Sequence, residues 1–122
     1  DELLDLLRDF SEEENHTVLI ASHIPSDLDK IADYVAYIHH GRLLFFQSYD
    51  ELQNEYGIIN CKKSFLDNLN PEDVVYYRKE DYSYRVLVKN RYGLKQIFQD
   101  VEIHSADLEE IMLFYAKGEK LE

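Results

Sequence analysis

The chain has 122 residues, 45% of them apolar, and a formal net charge of −12. That length suits one ordinary domain or two small pieces sharing a surface, and the apolar content suits a folded chain rather than a disordered one. The acidic balance, 25 acids against 13 Lys and Arg, argues against a nucleic-acid partner, because phosphate binding is driven by counterion release to clustered cations.

No apolar run approaches the roughly 18–20 residues that cross a bilayer. The longest, Val18 to Ala21 and Leu43 to Phe46, have strand length. The first ten residues are charged with a helical pattern, so no secretory leader is expected there. Asp1 rather than Met at the first position implies a start further upstream. Cys61 is the single cysteine, so no intrachain disulfide can form, which fits a reducing cytoplasm.

Residues 2–14 read as an amphipathic helix: Leu3, Leu6, Leu7 and Phe10 recur at helical spacing, with Asp5, Arg8, Asp9 and Glu12 opposite. Thr17 to Ser22 follows as a continuous apolar, β-branched run that does not alternate. Such strands belong to parallel sheets covered on both faces, so this one is expected to be central. Ser26 can cap a next helix, with Asp27 and Asp29 in its first turn and Leu28, Ile31 and Ala32 on its buried side. Tyr34 to His39 and Arg42 to Gln47 are strands joined at His40-Gly41. Ser48 with Glu51 makes a capping box for a helix ending near Tyr56-Gly57.

After Gly57 the texture changes. Ile58 to Lys63 reads as a strand and Phe65 to Leu69 as a short helix stopped by Asn70-Pro71. Val74 to Lys79 and Tyr84 to Lys89 alternate as half-exposed strands. Leu94 to Phe98 is helical, Val101 to His104 a strand, and Asp107 to Ala116 a final helix capped by Ser105. The order β-α-β-β-α-β plus a terminal helix matches a split βαβ, ferredoxin-like unit. The expected division is therefore residues 1–56 and residues 57–122.

The stretch Thr17 to Leu44 resembles the switch-histidine region of ABC-transporter ATPases. There, too, a strand ends in Ser-His, here Ser22-His23, followed by a helix and a strand pair closing on Gly-Arg, here Gly41-Arg42. The helix Glu2 to Phe10 resembles the segment after the family's D-loop, and residues 58–118 resemble the carboxyl-terminal extension of some ABC-2 export ATPases of Firmicutes type. The resemblance implies an α/β segment from the end of a P-loop ATPase domain, then an α+β ferredoxin-like βαββαβ unit with a terminal helix. It implies that His23 contacts the γ-phosphate of ATP and helps orient the attacking water, a role compatible with the carboxyl end of a parallel strand. It further implies ATP and Mg in a longer parent protein, a second ATP-binding subunit and permease subunits as partners, and a cytoplasmic place on the inner face of the membrane.

The family's other motifs are absent from these residues. No G-x-x-x-x-G-K-[ST] occurs, and the four glycines are Gly41, Gly57, Gly93 and Gly118. The aspartate-glutamate strand end, the glutamine loop and the Ser-Gly-Gly motif are missing too, so the chain by itself is expected to be inactive. A strand Thr17 to Ser22 without its family neighbours would present open edges, so self-association is expected.

Other constellations carry less. His39 and His40 are adjacent, and on a strand they point to opposite faces. His16, His23 and His104 show no ligand spacing, and one cysteine builds no thiolate metal site. Cys61 reads as a small hydrophobe rather than a nucleophile. Tyr76, Tyr77, Tyr82, Tyr84 and Tyr92 crowd the second half; cross-strand tyrosine packing explains them better than base stacking does. The competing functional class is a stand-alone ferredoxin-like interaction or ligand-sensing module.

Overall fold

The computed structural model describes residues 2–13, 18–21 and 33–121, with helices and sheets mixed along the chain. It divides into two units, Asp1–Asp50 and Glu51–Glu122.

The first unit contains α1 (Glu2–Glu13), β1 (Val18–Ala21), β2 (Tyr34–His39) and β3 (Arg42–Ser48). The sheet order is β1-β2-β3. β1 runs parallel to β2, with Val18 opposite Tyr34 and Ala21 opposite Tyr37. Parallel neighbours need a crossover of about a dozen residues or more, which the chain supplies between Ala21 and Tyr34. The helix expected from Ser26, with Leu28, Ile31 and Ala32 inward, falls in that stretch and lies outside the described residues.

β2 and β3 form an antiparallel hairpin whose last pair is His39 with Arg42. The two residues between them, His40 (φ 51) and Gly41 (φ 75), both adopt left-handed backbone, the signature of a type I′ turn matched to strand twist. Val35, Ala36 and Tyr37 are buried in succession, so β2 is covered on both faces. The expectation had given that central place to Thr17–Ser22. Among the described residues β1 has β2 as its one neighbour, and Ile20 is 41% exposed.

α1 meets the sheet through Phe10, whose ring packs edge-on against Tyr34 at 5.1 Å and Phe46 at 5.3 Å. These are favoured quadrupolar geometries. Leu7 is buried, but Leu6, expected on the same face, is 66% exposed.

The second unit takes in the later part of α2 (Tyr49–Asn54), then β4 (Gly57–Cys61), α3 (Lys63–Asn68), a 3-10 turn at Pro71–Asp73, β5 (Val74–Lys79), β6 (Tyr84–Val88), α4 (Arg91–Ile97), β7 (His104–Ser105) and α5 (Leu108–Lys117). Its four-stranded sheet has the order β5-β6-β4-β7, and every neighbouring pair is antiparallel. Ile59, Val86 and Val88 share a core cluster with Leu66 and Leu69 at the α3 end and Leu94 of α4. Strand alternation turns Ile58, Arg85 and Leu87 to the other face. There α5 lies, with Ile111, Met112 and Phe114 buried and Glu110 bonded to Arg85 at 3.0 Å.

Three elements differ from expectation. α4 starts at Arg91 rather than Leu94, after Asn90 in left-handed backbone at φ 62. The last strand is only His104–Ser105, not Val101–His104. The carbonyl of Val101 accepts from Lys95 Nζ at 2.8 Å and its N–H donates to Phe98 O at 3.1 Å, so Val101 is engaged in a turn instead of a ladder. Finally, the cap of α5 is Asp107, not Ser105. Asp107 Oδ1 accepts from Glu110 N at 2.8 Å, and Glu110 Oε1 accepts from Asp107 N at 3.2 Å. Ser105 is instead held in β7, opposite Gly57.

Asp107→Ala is therefore expected to lower stability by about 1 kcal/mol, whereas Ser105→Ala should change it by less than about 0.5 kcal/mol. Urea unfolding of the two variants checks this; equal losses would return the cap to Ser105.

Candidate functional site

The dipeptide Ser22-His23 leaves the carboxyl end of β1, whose last described residue, Ala21, stands opposite Tyr37 in the register. Ser22, His23 and His16 lie outside the described residues, so the structure gives no geometry for the imidazole that the resemblance assigns to phosphate. It does describe the companion Gly41-Arg42. Gly41 supplies the positive φ of the turn, and Arg42 opens β3 with an exposed side chain.

Tyr37, beside the end of β1 in the register, is 1% exposed, and burial pushes its phenol pKa up. Its ring lies 5.7 Å from Phe45 and 6.0 Å from His39. Hence the sheet next to β1's carboxyl end is apolar and aromatic.

The histidine pair departs from expectation. His39 ends β2 but His40 is already in the turn, so the strand alternation that would separate them does not apply. Their ring centroids are 4.1 Å apart. Even so, among the described residues no three or more His, Cys, Asp or Glu side chains gather where they could hold a metal ion.

In the second unit a cleft of about 470 Å³ opens beside the last residues of β4. Pairing with β7 covers only Gly57 and Ile58, and Asn60, Cys61, Phe65, Glu102 and His104 line the gap beyond. His104 is within 3.6 Å of Glu102 at this rim. Burial pushes the Cys61 thiol pKa up, which keeps it in the protonated, weakly nucleophilic form. The sequence analysis did not point to this cleft; it placed the final strand at Val101 to His104, whereas the strand is His104–Ser105.

The tyrosines pack as cross-strand and helix–strand neighbours. Tyr77 and Tyr84 are diagonal partners on β5 and β6 with centroids 5.9 Å apart, and Tyr76 meets Tyr115 of α5 edge-on at 4.9 Å. Tyr82 and Tyr92 are exposed. Among the described residues, no helix is long and apolar enough to cross a membrane.

No protein-family model matches the chain. Over 59 residues, 48% of this chain, it is 30% identical to the lantibiotic transport ATP-binding protein SrtF of Streptococcus pyogenes. The same match is found with the protein of that name from Streptococcus pyogenes serotype M1. The matched part is 25% of the relative's length. The similarity relates part of this chain to a transport ATP-binding protein.

The raised pKa of Cys61 has a consequence for stability. The contribution of its burial is complete below the unfolded thiol's pKa and is lost as pH rises through the folded one. Alkylation by iodoacetamide at pH 8 is thus expected to be slower for the native chain than for the chain in urea, with the native rate rising at higher pH. Equal rates at pH 8 would mean the thiol is not shielded.

Proposed function

We propose that this chain is the carboxyl-terminal part of the ATP-binding subunit of an ABC transporter of export type. Residues 1–56 would form the end of the nucleotide-binding domain and residues 57–122 an accessory ferredoxin-like domain. The observation that carries this reading is the 59-residue similarity to a lantibiotic transport ATP-binding protein. The order of α1, a parallel β1/β2 pair and a hairpin at Gly41-Arg42 supports it, because the resemblance calls for those elements in that sequence.

In this reading His23 extends from the tip of β1 toward a nucleotide's terminal phosphate. Its ring donates a hydrogen bond to the charge that develops on the transferred group and helps orient the attacking water. ATP and Mg are gripped by the phosphate loop and carboxylates of the upstream part of the subunit, so the 122 residues alone hydrolyse nothing. The partners are a second ATP-binding subunit and permease subunits, which hold the protein on the inner face of the membrane. When isolated, the chain pairs through the open edge of β1 with another copy.

One observation favours a second reading. In the order β5-β6-β4-β7 the first and third strands of the unit are central and the second and fourth outer, the arrangement of a split βαβ module, and such a module can bind ligands or proteins without an ATPase. Saturable metabolite binding by the chain, with no role for that binding in ATP turnover, would favour it.

In the intact subunit, His23→Ala is expected to reduce hydrolysis by about 10²–10³-fold while ATP affinity stays within a few-fold. Undiminished turnover would remove the assignment, as would an open reading frame with no phosphate loop ahead of Asp1.

A further inference from the structure

Both faces of the second unit's sheet are covered, by α3 and α4 on one side and α5 on the other. On its outer side β4 has one neighbour, β7, which pairs only with Gly57 and Ile58. Ile59, Asn60 and Cys61 continue β4 beyond that cover. Backbone groups alternate sides along a strand, so at least one of these three residues turns its N–H and C=O outward. Among the described residues, no hydrogen bond reaches them from that side.

The gap is built into the loop that leads to β7. Continued in the β4–β7 register, Val101 would stand opposite Cys61. Its carbonyl instead accepts from Lys95 Nζ at 2.8 Å, and its N–H donates to Phe98 O at 3.1 Å. Lys95 Nζ also donates to Gln99 O at 3.1 Å. Backbone groups so committed cannot pair with β4, and Val101 and Ile103 are packed against the core cluster. The cleft of about 470 Å³ is the space that results. Its volume falls within the roughly 300–1,000 Å³ of ligand sites.

The charge on its rim is one-sided. Lys62 Nζ donates to Tyr82 O at 3.0 Å, and the next residue, Lys63, pairs with Asp67 at 3.2 Å. Among the described residues, Asp100 on the opposite wall makes no ion pair or hydrogen bond. Glu102 has only His104 nearby, at 3.6 Å. Phe65, like Val101, packs against the core cluster and gives the cleft an apolar wall.

We propose that this cleft is a strand-addition site for an extended segment of a partner protein that carries lysine or arginine. The segment's backbone pairs with the outer edge of β4 beyond Ile58, and its cation lies beside Asp100 and Glu102. An alternate, aliphatic residue rests on Phe65 and Val101. Main-chain bonds supply affinity and the two kinds of side chain supply selectivity, as in other added strands.

The test titrates the full chain with the peptide acetyl-Val-Lys-Val-Lys-Val-amide, following the amide signals of Asn60 and Cys61. Saturable binding is expected, and bound peptide should slow alkylation of Cys61 by iodoacetamide several-fold. The same peptide with Glu in place of both Lys should bind at least three-fold more weakly. One edge of a strand uses alternate residues. N-methylation of the two Lys amides and N-methylation of the Val amides should therefore differ, one abolishing binding and the other sparing it. Asp100→Asn with Glu102→Gln should weaken binding about three- to ten-fold. Both side chains are exposed, and unchanged amide exchange at Ile59 and Val86 shows that the variant is folded. If that protection is lost, Asp100→Asn alone is used and a smaller loss is expected. No saturable binding, equal binding of acetyl-lysine-amide, equal effects of the two methylation patterns, or unslowed alkylation of Cys61 would each overturn the proposal. None of these readouts depends on ATP turnover, so their failure leaves the reading of residues 1–56 untouched.

Discussion

The antiparallel pairing of β4 with β6 is the interaction on which the second unit depends. Ile58 stands opposite Leu87 and Ile59 opposite Val86, and all four are 2% exposed or less. Alternation sends Ile59, Val86 and Val88 to the helices α3 and α4, and Ile58 with Leu87 to α5. A slip of one residue would exchange these sets and bury Asn60 and Arg85 against the wrong helices. The outer strands gain their positions from this pair, since β5 hydrogen-bonds only to β6 within the sheet and β7 only to β4.

The first unit rests on an analogous but smaller arrangement. β2 is paired on both sides and buried through Val35, Ala36 and Tyr37. The ring cluster of Phe10, Tyr34 and Phe46 fixes α1 on the sheet, with centroid separations of 5.1 to 5.5 Å. This holds β1, the strand that precedes Ser22-His23 in the chain, in parallel with β2.

Much of this was readable from local pattern. Two strand-length apolar runs on either side of His40-Gly41 identified the first hairpin, and the alternation of Val74 to Lys79 and Tyr84 to Lys89 identified the second, because strand patterning and turn chemistry are local signals. What escaped was decided by distant partners. Ser105 and Asp107 are both good caps, and the choice fell to Asp107 because Ser105 is held opposite Gly57. Val101 has a strand former's side chain, yet Lys95 claims its carbonyl. Leu6 fits a helical apolar stripe, yet it is 66% exposed. For the candidate site, residue order suggested His23 through resemblance, and the Gly41-Arg42 turn is where that order puts it. The proximity of His39 and His40 was misjudged because a positive φ at His40 breaks the alternation from which their separation was inferred.

Glu110 has both carboxylate oxygens committed, one to the backbone N–H of Asp107 and the other to Arg85 Nη2. The first bond closes the start of a helix and the second fastens that helix to a strand. Arg85 and Asp107 consequently communicate through a shared intermediary without bonding to each other, so replacements at the two positions should not combine additively. An aspartate at 110 has one methylene less and cannot span both bonds. Sequence drift here is constrained as a trio, and a glutamate that looks like ordinary surface decoration is a hinge pin between two layers of the domain.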